Sequence, residues 1–82
     1  MTIEVKFNSS ELVEQLRSGA YELPEGSTID GLIEVAQREA GVEITKELRG
    51  NLVFLYDNHH ATFETILHDG GKLRVLFRIL GG

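Results

Sequence analysis

The chain has 82 residues, no cysteine and a formal net charge of −5. That length makes one small domain burying only about 60% of its unfolded surface, too little for a core plus a deep, enclosed active site. The missing cysteines exclude disulfides and thiol chemistry and fit a reducing, cytoplasmic setting; the acidic balance argues against nucleic acid as a partner; and no apolar run approaches a membrane span.

The opening MTIEVKF has no apolar leader region. Thr2 to Phe7 alternates instead, with Ile3, Val5 and Phe7 on one side and Glu4 and Lys6 on the other, as in a half-buried strand. Asn8, Ser9 and Ser10 offer caps for a short helix that carries Leu12, Val13 and Leu16 at helical spacing and stops at Gly19. Ala20 to Leu23 reads as a second, short strand and Pro24-Glu25-Gly26 as a turn. The main helix comes next. Ser27 or Thr28 caps it, and Asp30 suits the positive end of its dipole. Ile29, Leu32, Ile33 and Ala36 form one apolar stripe flanked by Val35 and Ala40, and Gly41 ends the helix. Gly31 costs roughly 1 kcal/mol against alanine and is expected to permit close packing.

Val42 to Gly50 reads as a connector with one helical turn near Thr45–Leu48. Leu52 to Tyr56 is a strand, apolar at every position, and Asp57-Asn58, both tolerant of positive φ, begin a tight turn. Ala61 to Phe63 is expected to form a short edge strand, and His68-Asp69-Gly70-Gly71 a second turn. Lys72 to Ile79 is the last strand. Its Leu73, Val75, Phe77 and Ile79 face one way; Arg74, Leu76, Arg78 and Leu80 face the other.

One substantial helix covers one face of such a sheet, so the other face meets solvent or a partner. Leu76 and Leu80 fall on that open face, expected beside Val53 and Leu55, as a contact patch. Charge is uneven as well. All thirteen acidic residues precede position 72, whereas Lys72, Arg74 and Arg78 come after with no acid among them. The last strand is thus a basic strip on an acidic body, suited to guide docking.

Motifs for catalysis are weak. His59, His60 and His68 invite a metal reading, but neighbouring strand residues point to opposite faces and no cysteine or close second carboxylate completes a tetrahedral set, so no metal is expected. Glu11 with Glu14, and Glu43 with Glu47, share helical spacing on solvated faces rather than in a cleft. Asp69-Gly70-Gly71 precedes a strand rather than a helix and makes a poor phosphate cradle.

The sequence runs out in Gly81-Gly82 directly behind an apolar strand. Two glycines add no buried area and are costly to order. They do form a thin strip of chain able to thread a narrow cleft and present a carboxylate. Such a carboxyl, with a pKa of roughly 3.3–3.7, is ionised and unreactive near neutrality, so chemistry there requires activation by a second protein.

Three segments carry a resemblance to a known family. ELPEGST at Glu22–Thr28 resembles a strand–turn–cap entry to the helix. LVFLYDN at Leu52–Asn58 resembles the third strand and its turn. ILHDGGKLRVLFRILGG at Ile66–Gly82 resembles the closing signature of Asp-Gly, charged pair, alternating strand and double glycine. Together they resemble the β-grasp sulfur carriers of the MoaD/ThiS family, and the added short helix looks more like the small subunit of molybdopterin synthase than the thiamine carrier. VLFRILGG is also similar to the tails of ubiquitin and of archaeal ubiquitin-like modifiers.

The resemblance implies an α+β, β-grasp (ubiquitin-like) fold: a mixed sheet of four to five strands packed on one main helix, with an extra short helix after the first strand. It implies residues 1–80 as a single domain and 81–82 as a flexible diglycine tail. It further implies a sulfur carrier and not an enzyme, with no cofactor bound. Gly82 would be the point of AMP and sulfur attachment, Gly81 and Leu80 would form the tail, and Leu76, Phe77, Arg78, Val53 and Leu55 would be the partner-binding surface. The implied partners are an E1-like, ATP-using adenylating enzyme of the MoeB/ThiF type, a sulfur donor and a synthase large subunit. The pathway expected is molybdopterin synthesis for molybdenum or tungsten cofactor; the alternatives are a modifier conjugated through Gly82 and a carrier for thiamine or cysteine synthesis.

Overall fold

The computed structural model describes residues 1–8 and 14–78. In chain order the elements are β1 (Thr2–Phe7), β2 (Gly19–Glu22), α1 (Ile29–Ala40), α2 (Lys46–Gly50), β3 (Leu52–Tyr56), β4 (His59–Ala61) and β5 (Lys72–Phe77). The strands form one mixed sheet in the order β2-β1-β5-β3-β4. β1 and β5 run parallel at its centre, and every other pairing is antiparallel. This is the β-grasp arrangement, with five strands.

Alternation decides which face is sealed. Ile3, Val5 and Phe7 of β1, Leu73 and Val75 of β5, and Phe54 and Tyr56 of β3 are buried on one side, against Ile29, Leu32, Ile33 and Ala36 of α1. Full burial of each large aliphatic or aromatic side chain contributes about 1.5–3 kcal/mol, so this layer holds the sheet and helix together. Gln37 is buried too, and its Oε1 accepts the Ile44 N–H at 2.6 Å, tying the connector back onto α1.

The helix ends are set by local chemistry. Thr28, in extended backbone, accepts the Gly31 N–H on its hydroxyl, while the Ile29 and Asp30 N–H groups donate to the Thr65 and Phe63 carbonyls. The first-turn donors are therefore satisfied by protein. Gly41 closes the helix at φ 70°, a left-handed cap that costs glycine nothing. Asp57 and Asn58, at φ 50° and 67°, make the two-residue turn between β3 and β4, the geometry whose twist matches a hairpin.

Several expected boundaries move. The second strand is Gly19–Glu22 rather than Ala20–Leu23: Gly19 is its first residue and not merely a helix stop, because it lies opposite Val5 in the β1 ladder. Leu23 still donates its N–H to the Met1 carbonyl just beyond the strand. The edge strand is His59–Ala61 rather than Ala61–Phe63, since the two-residue turn starts pairing at once, Tyr56 opposite His59. The expected turn near Thr45 is a true helix, α2, capped by the Thr45 hydroxyl. The last strand is described to Phe77, and Ile79 lies outside the described residues. Of the short helix after β1, Glu14 and Gln15 are helical and Leu16 is buried; Leu12 and Val13 lie outside the described residues.

Gly31 does not mark a close approach. A Cβ there would meet only the Thr28 hydroxyl at 3.7 Å, an ordinary contact. Gly71 is the tight position: a Cβ would overlap the Tyr56 phenol, whose hydroxyl accepts the His68 N–H at 2.7 Å and is thereby held in place. Two substitutions should therefore move stability in opposite directions. Gly71→Ala should cost about 1–3 kcal/mol, and Gly31→Ala should gain up to about 1 kcal/mol. Urea unfolding of both variants measures this, and a Gly71→Ala protein as stable as the parent would contradict the packing described.

Candidate functional site

The open face of the sheet is set by the same alternation. Register sets Val53 opposite Leu76 and Leu55 opposite Arg74 across β3 and β5, and Lys6 beside Arg74 and Glu4 beside Lys72 across β1 and β5. Val53, Leu55 and Leu76 are half-buried; Lys6, Lys72, Arg74 and Arg78 are exposed. The expected neighbours Leu76, Val53 and Leu55 are thus brought together. Phe77 is not with them: it continues Leu73 and Val75 on the helix side, opposite Leu52 in the ladder. Leu80, Gly81 and Gly82 lie outside the described residues.

The cations of the open face stand apart from those that tie elements together. Among the described residues, Arg17 pairs with Glu39 at 3.1 Å and Arg49 pairs with Asp30 and Glu34, whereas Lys6, Lys72, Arg74 and Arg78 have no carboxylate within 4.0 Å. Their charge is exposed to whatever approaches the sheet. A shallow groove of about 590 Å³ crosses this face, lined by Glu4, Lys6, Leu55, Asn58, Lys72 and Arg74 among others. It mixes an apolar floor with a basic rim, which suits contact with another protein surface better than enclosure of a small molecule.

The three histidines do not come together. His59 and His60 are adjacent in β4, so their side chains diverge, and His68 is committed elsewhere: its Nε2 lies 2.7 Å from Asp57 Oδ2. Among the described residues no three His, Asp or Glu side chains are grouped to hold a metal ion, and no helix is long and apolar enough to cross a membrane.

Two features of this region are invisible in local sequence. Lys6 joins the basic strip only because β1 and β5 pair in parallel. Asn51, in the connector, accepts the Arg78 N–H on its carbonyl at 2.7 Å. The sole cue to it was its place just before a strand.

Asp57 also fixes the start of β5. Its Oδ1 accepts the Lys72 N–H at 3.0 Å and its Oδ2 meets the His68 ring. The Lys72 N–H foremost, and then His68, hold the Asp57 carboxyl below its ordinary 3.8. The hydrogen bond to Asp57, aided by the Asp69 carbonyl, raises His68 above 6.5. The lowered carboxyl stabilises the fold above about pH 4, and that support is lost as pH falls through its folded value. The raised imidazole stabilises fully below about pH 6.5, and that support is lost as pH rises through its folded value. Both groups face solvent, so the effect is small. The Tm advantage of the parent over His68→Ala should shrink between about pH 6 and about pH 9; a constant advantage in thermal melts across that range would exclude the pair.

With this geometry, the chain is similar in structure to SAMP1 from Haloferax volcanii, at a TM-score of 0.72 and 16% identity over 100% of both chains. It is similar to putative molybdopterin converting factor, subunit 1, from Pyrococcus furiosus, at a TM-score of 0.70 and 18% identity over 96% of this chain and 99% of that one. It is also similar to a chain in the complex of subunits 1 and 2 of the molybdopterin-converting factor from Helicobacter pylori, at a TM-score of 0.58 and 21% identity over 100% of both chains. At such identities the likeness is one of fold: a small β-grasp, ubiquitin-like fold. No family model matches the chain, and no curated protein matches it.

Proposed function

We propose that this chain is a sulfur carrier, a protein co-substrate and not an enzyme, that works through the carboxylate of Gly82. The observation that carries the reading is the position of β5. It is the middle strand of the sheet, paired on both sides; its ladder to β3 runs to Phe77, and the next N–H, of Arg78, bonds the Asn51 carbonyl, four residues before Gly82. A firmly held strand that leads to two residues without side chains suits delivery of a carboxylate into another protein's cleft. The apolar patch of Val53, Leu55 and Leu76, with its basic surround, spans β3 and this same strand and suits docking of that protein.

The chemistry is dictated by the weakness of a carboxylate as an electrophile. An E1-like partner joins the Gly82 carboxylate to AMP from ATP, releasing pyrophosphate. The resulting mixed anhydride has a good leaving group. An enzyme persulfide attacks the carbonyl carbon, AMP departs, and a thiol cleaves the sulfur–sulfur bond of the resulting acyl disulfide, leaving a thiocarboxylate and a disulfide between that thiol and the enzyme. A synthase large subunit then receives the sulfur. The likeness to a subunit 1 in complex with a subunit 2 supports molybdopterin synthesis as the pathway. A second reading, a protein modifier joined through Gly82 to lysines, is favoured by the likeness to a small archaeal modifier protein.

The test is intact-mass analysis of the chain after incubation with ATP, a molybdopterin-type adenylating enzyme and a persulfide donor. Replacement of one oxygen by sulfur at Gly82 is expected. Lysine adducts on other proteins would favour the modifier instead, and an unchanged mass with every such enzyme would overturn both readings. Deleting Gly82 should abolish loading without lowering Tm. Leu76→Glu should weaken binding to the activating partner by about tenfold or more while Tm stays within a few degrees; a large fall in Tm with unchanged affinity would place Leu76 in the core instead.

A further inference from the structure

Among the described residues, the backbone hydrogen bond nearest the C-terminal end is accepted by a residue that also ends a helix. Arg78 donates its N–H to the carbonyl of Asn51 at 2.7 Å. Asn51 is the C-cap of α2: its own N–H donates back to Leu48 at 3.1 Å, and its side-chain Nδ2 donates to the Glu47 carbonyl at 2.9 Å. The carbonyl that receives Arg78 is therefore aimed by α2.

The support of α2 is unusual. A five-residue helix is far below the length that is stable by itself, and no residue of α2 is fully buried. Leu48 packs only partly against the core. Arg49 supplies the rest. Its guanidinium bonds the Asp30 carboxylate, lies 3.7 Å from Glu34 Oε1, and sits 4.6 Å from the centre of the Phe63 ring. One side chain thus ties α2 to the exposed side of α1 and to the loop before β5. Its own exposure is 28%, low for an arginine that has no part in the core. Planar charge against two carboxylates and an aromatic face is a geometry lysine matches poorly.

We infer that Arg49 is a positioning residue for the C-terminal segment. It fixes α2, α2 aims the Asn51 carbonyl, and that carbonyl holds the backbone at Arg78, four residues before Gly82. The functional half of this inference rests on the reading of Gly82 as the reacting end: a root fixed at Arg78 lowers the ordering cost of threading Ile79-Leu80-Gly81-Gly82 into a cleft.

Amide hydrogen exchange, read residue by residue by NMR on the full chain, tests the clamp without any partner. In Arg49→Ala, the Arg78 amide should exchange about tenfold faster or more, while the amide of Phe54, in the buried middle of β3, keeps its parental rate. Arg49→Lys, which retains charge but not the planar fork, should fall between. Acceleration of both amides by the same factor would mean that Arg49 serves only global stability, and an unchanged Arg78 rate would mean that α2 does not govern it; either result overturns the clamp. With the activating enzyme, Arg49→Ala should raise KM several-fold at unchanged kcat. A loosened Arg78 with parental KM would overturn the role in transfer alone. Failure of the parent protein to be adenylated would instead overturn the reading of Gly82, with the exchange result still deciding the clamp.

Discussion

The register of β5 between β1 and β3 is the constraint on which the rest of the molecule depends. Side chains in a strand alternate with a period of two, so a slip of one residue would turn every buried position outward. The pairs Val5 with Leu73, Phe7 with Val75 and Phe54 with Val75 keep the apolar set of three strands on one side, where α1 seals it. The same register is what lines Lys6, Arg74 and Leu55 across the opposite face. Core and contact surface are two consequences of one alignment, and neither can be altered by sliding the strand without destroying the other.

Among the described residues one substantial helix, α1, packs on the sheet, and it covers one face and leaves the other open. In many small proteins such a face is simply polar. Here its centre carries Val53, Leu55 and Leu76, and among the described residues no carboxylate lies at ion-pair distance from its cations, although the chain as a whole is acidic. Charges on the helix side are treated differently: Arg17 and Arg49 are both neutralised locally and both stack on an aromatic ring, Tyr21 and Phe63 respectively. Those two paired cations tie elements together, whereas Lys6, Lys72, Arg74 and Arg78 leave the open face with a basic strip along β5.

Much of this was legible before any coordinates. The stripe Ile29, Leu32, Ile33, Ala36 and the cap at Gly41 specified α1, and the alternation of Thr2–Phe7 and Lys72–Phe77 specified which side chains of β1 and β5 face the helix. The errors fall where pairing overrides local pattern. Gly19 reads as punctuation after a helix, yet the β1 ladder recruits it into β2. Ala61–Phe63 reads as the edge strand, but the hairpin turn starts the pairing at His59 and His60 and ends it at Ala61, and Phe63 turns inward to meet Phe54 edge-on at 4.8 Å. Gly31 reads as a packing contact, yet a Cβ there meets only the Thr28 hydroxyl at an ordinary distance, while Gly71, which reads as part of a turn, is the glycine that Tyr56 crowds.

The sequence by itself determined the periodicities, the caps and the alternating charge of the last strand, because these depend on residues within a few positions of one another. It also marked Leu76 and Arg74 as belonging to a face away from the helix. Tertiary structure alone decided which strands are neighbours, and with that the joining of Lys6 to Arg74, the crossing of Val53 by Leu76, and the meeting of Arg78 with Asn51. Those contacts join residues dozens of positions apart, and they exist only because the cheapest way to bury β1, β3 and β5 on one helix is to place the last strand between the first and the third.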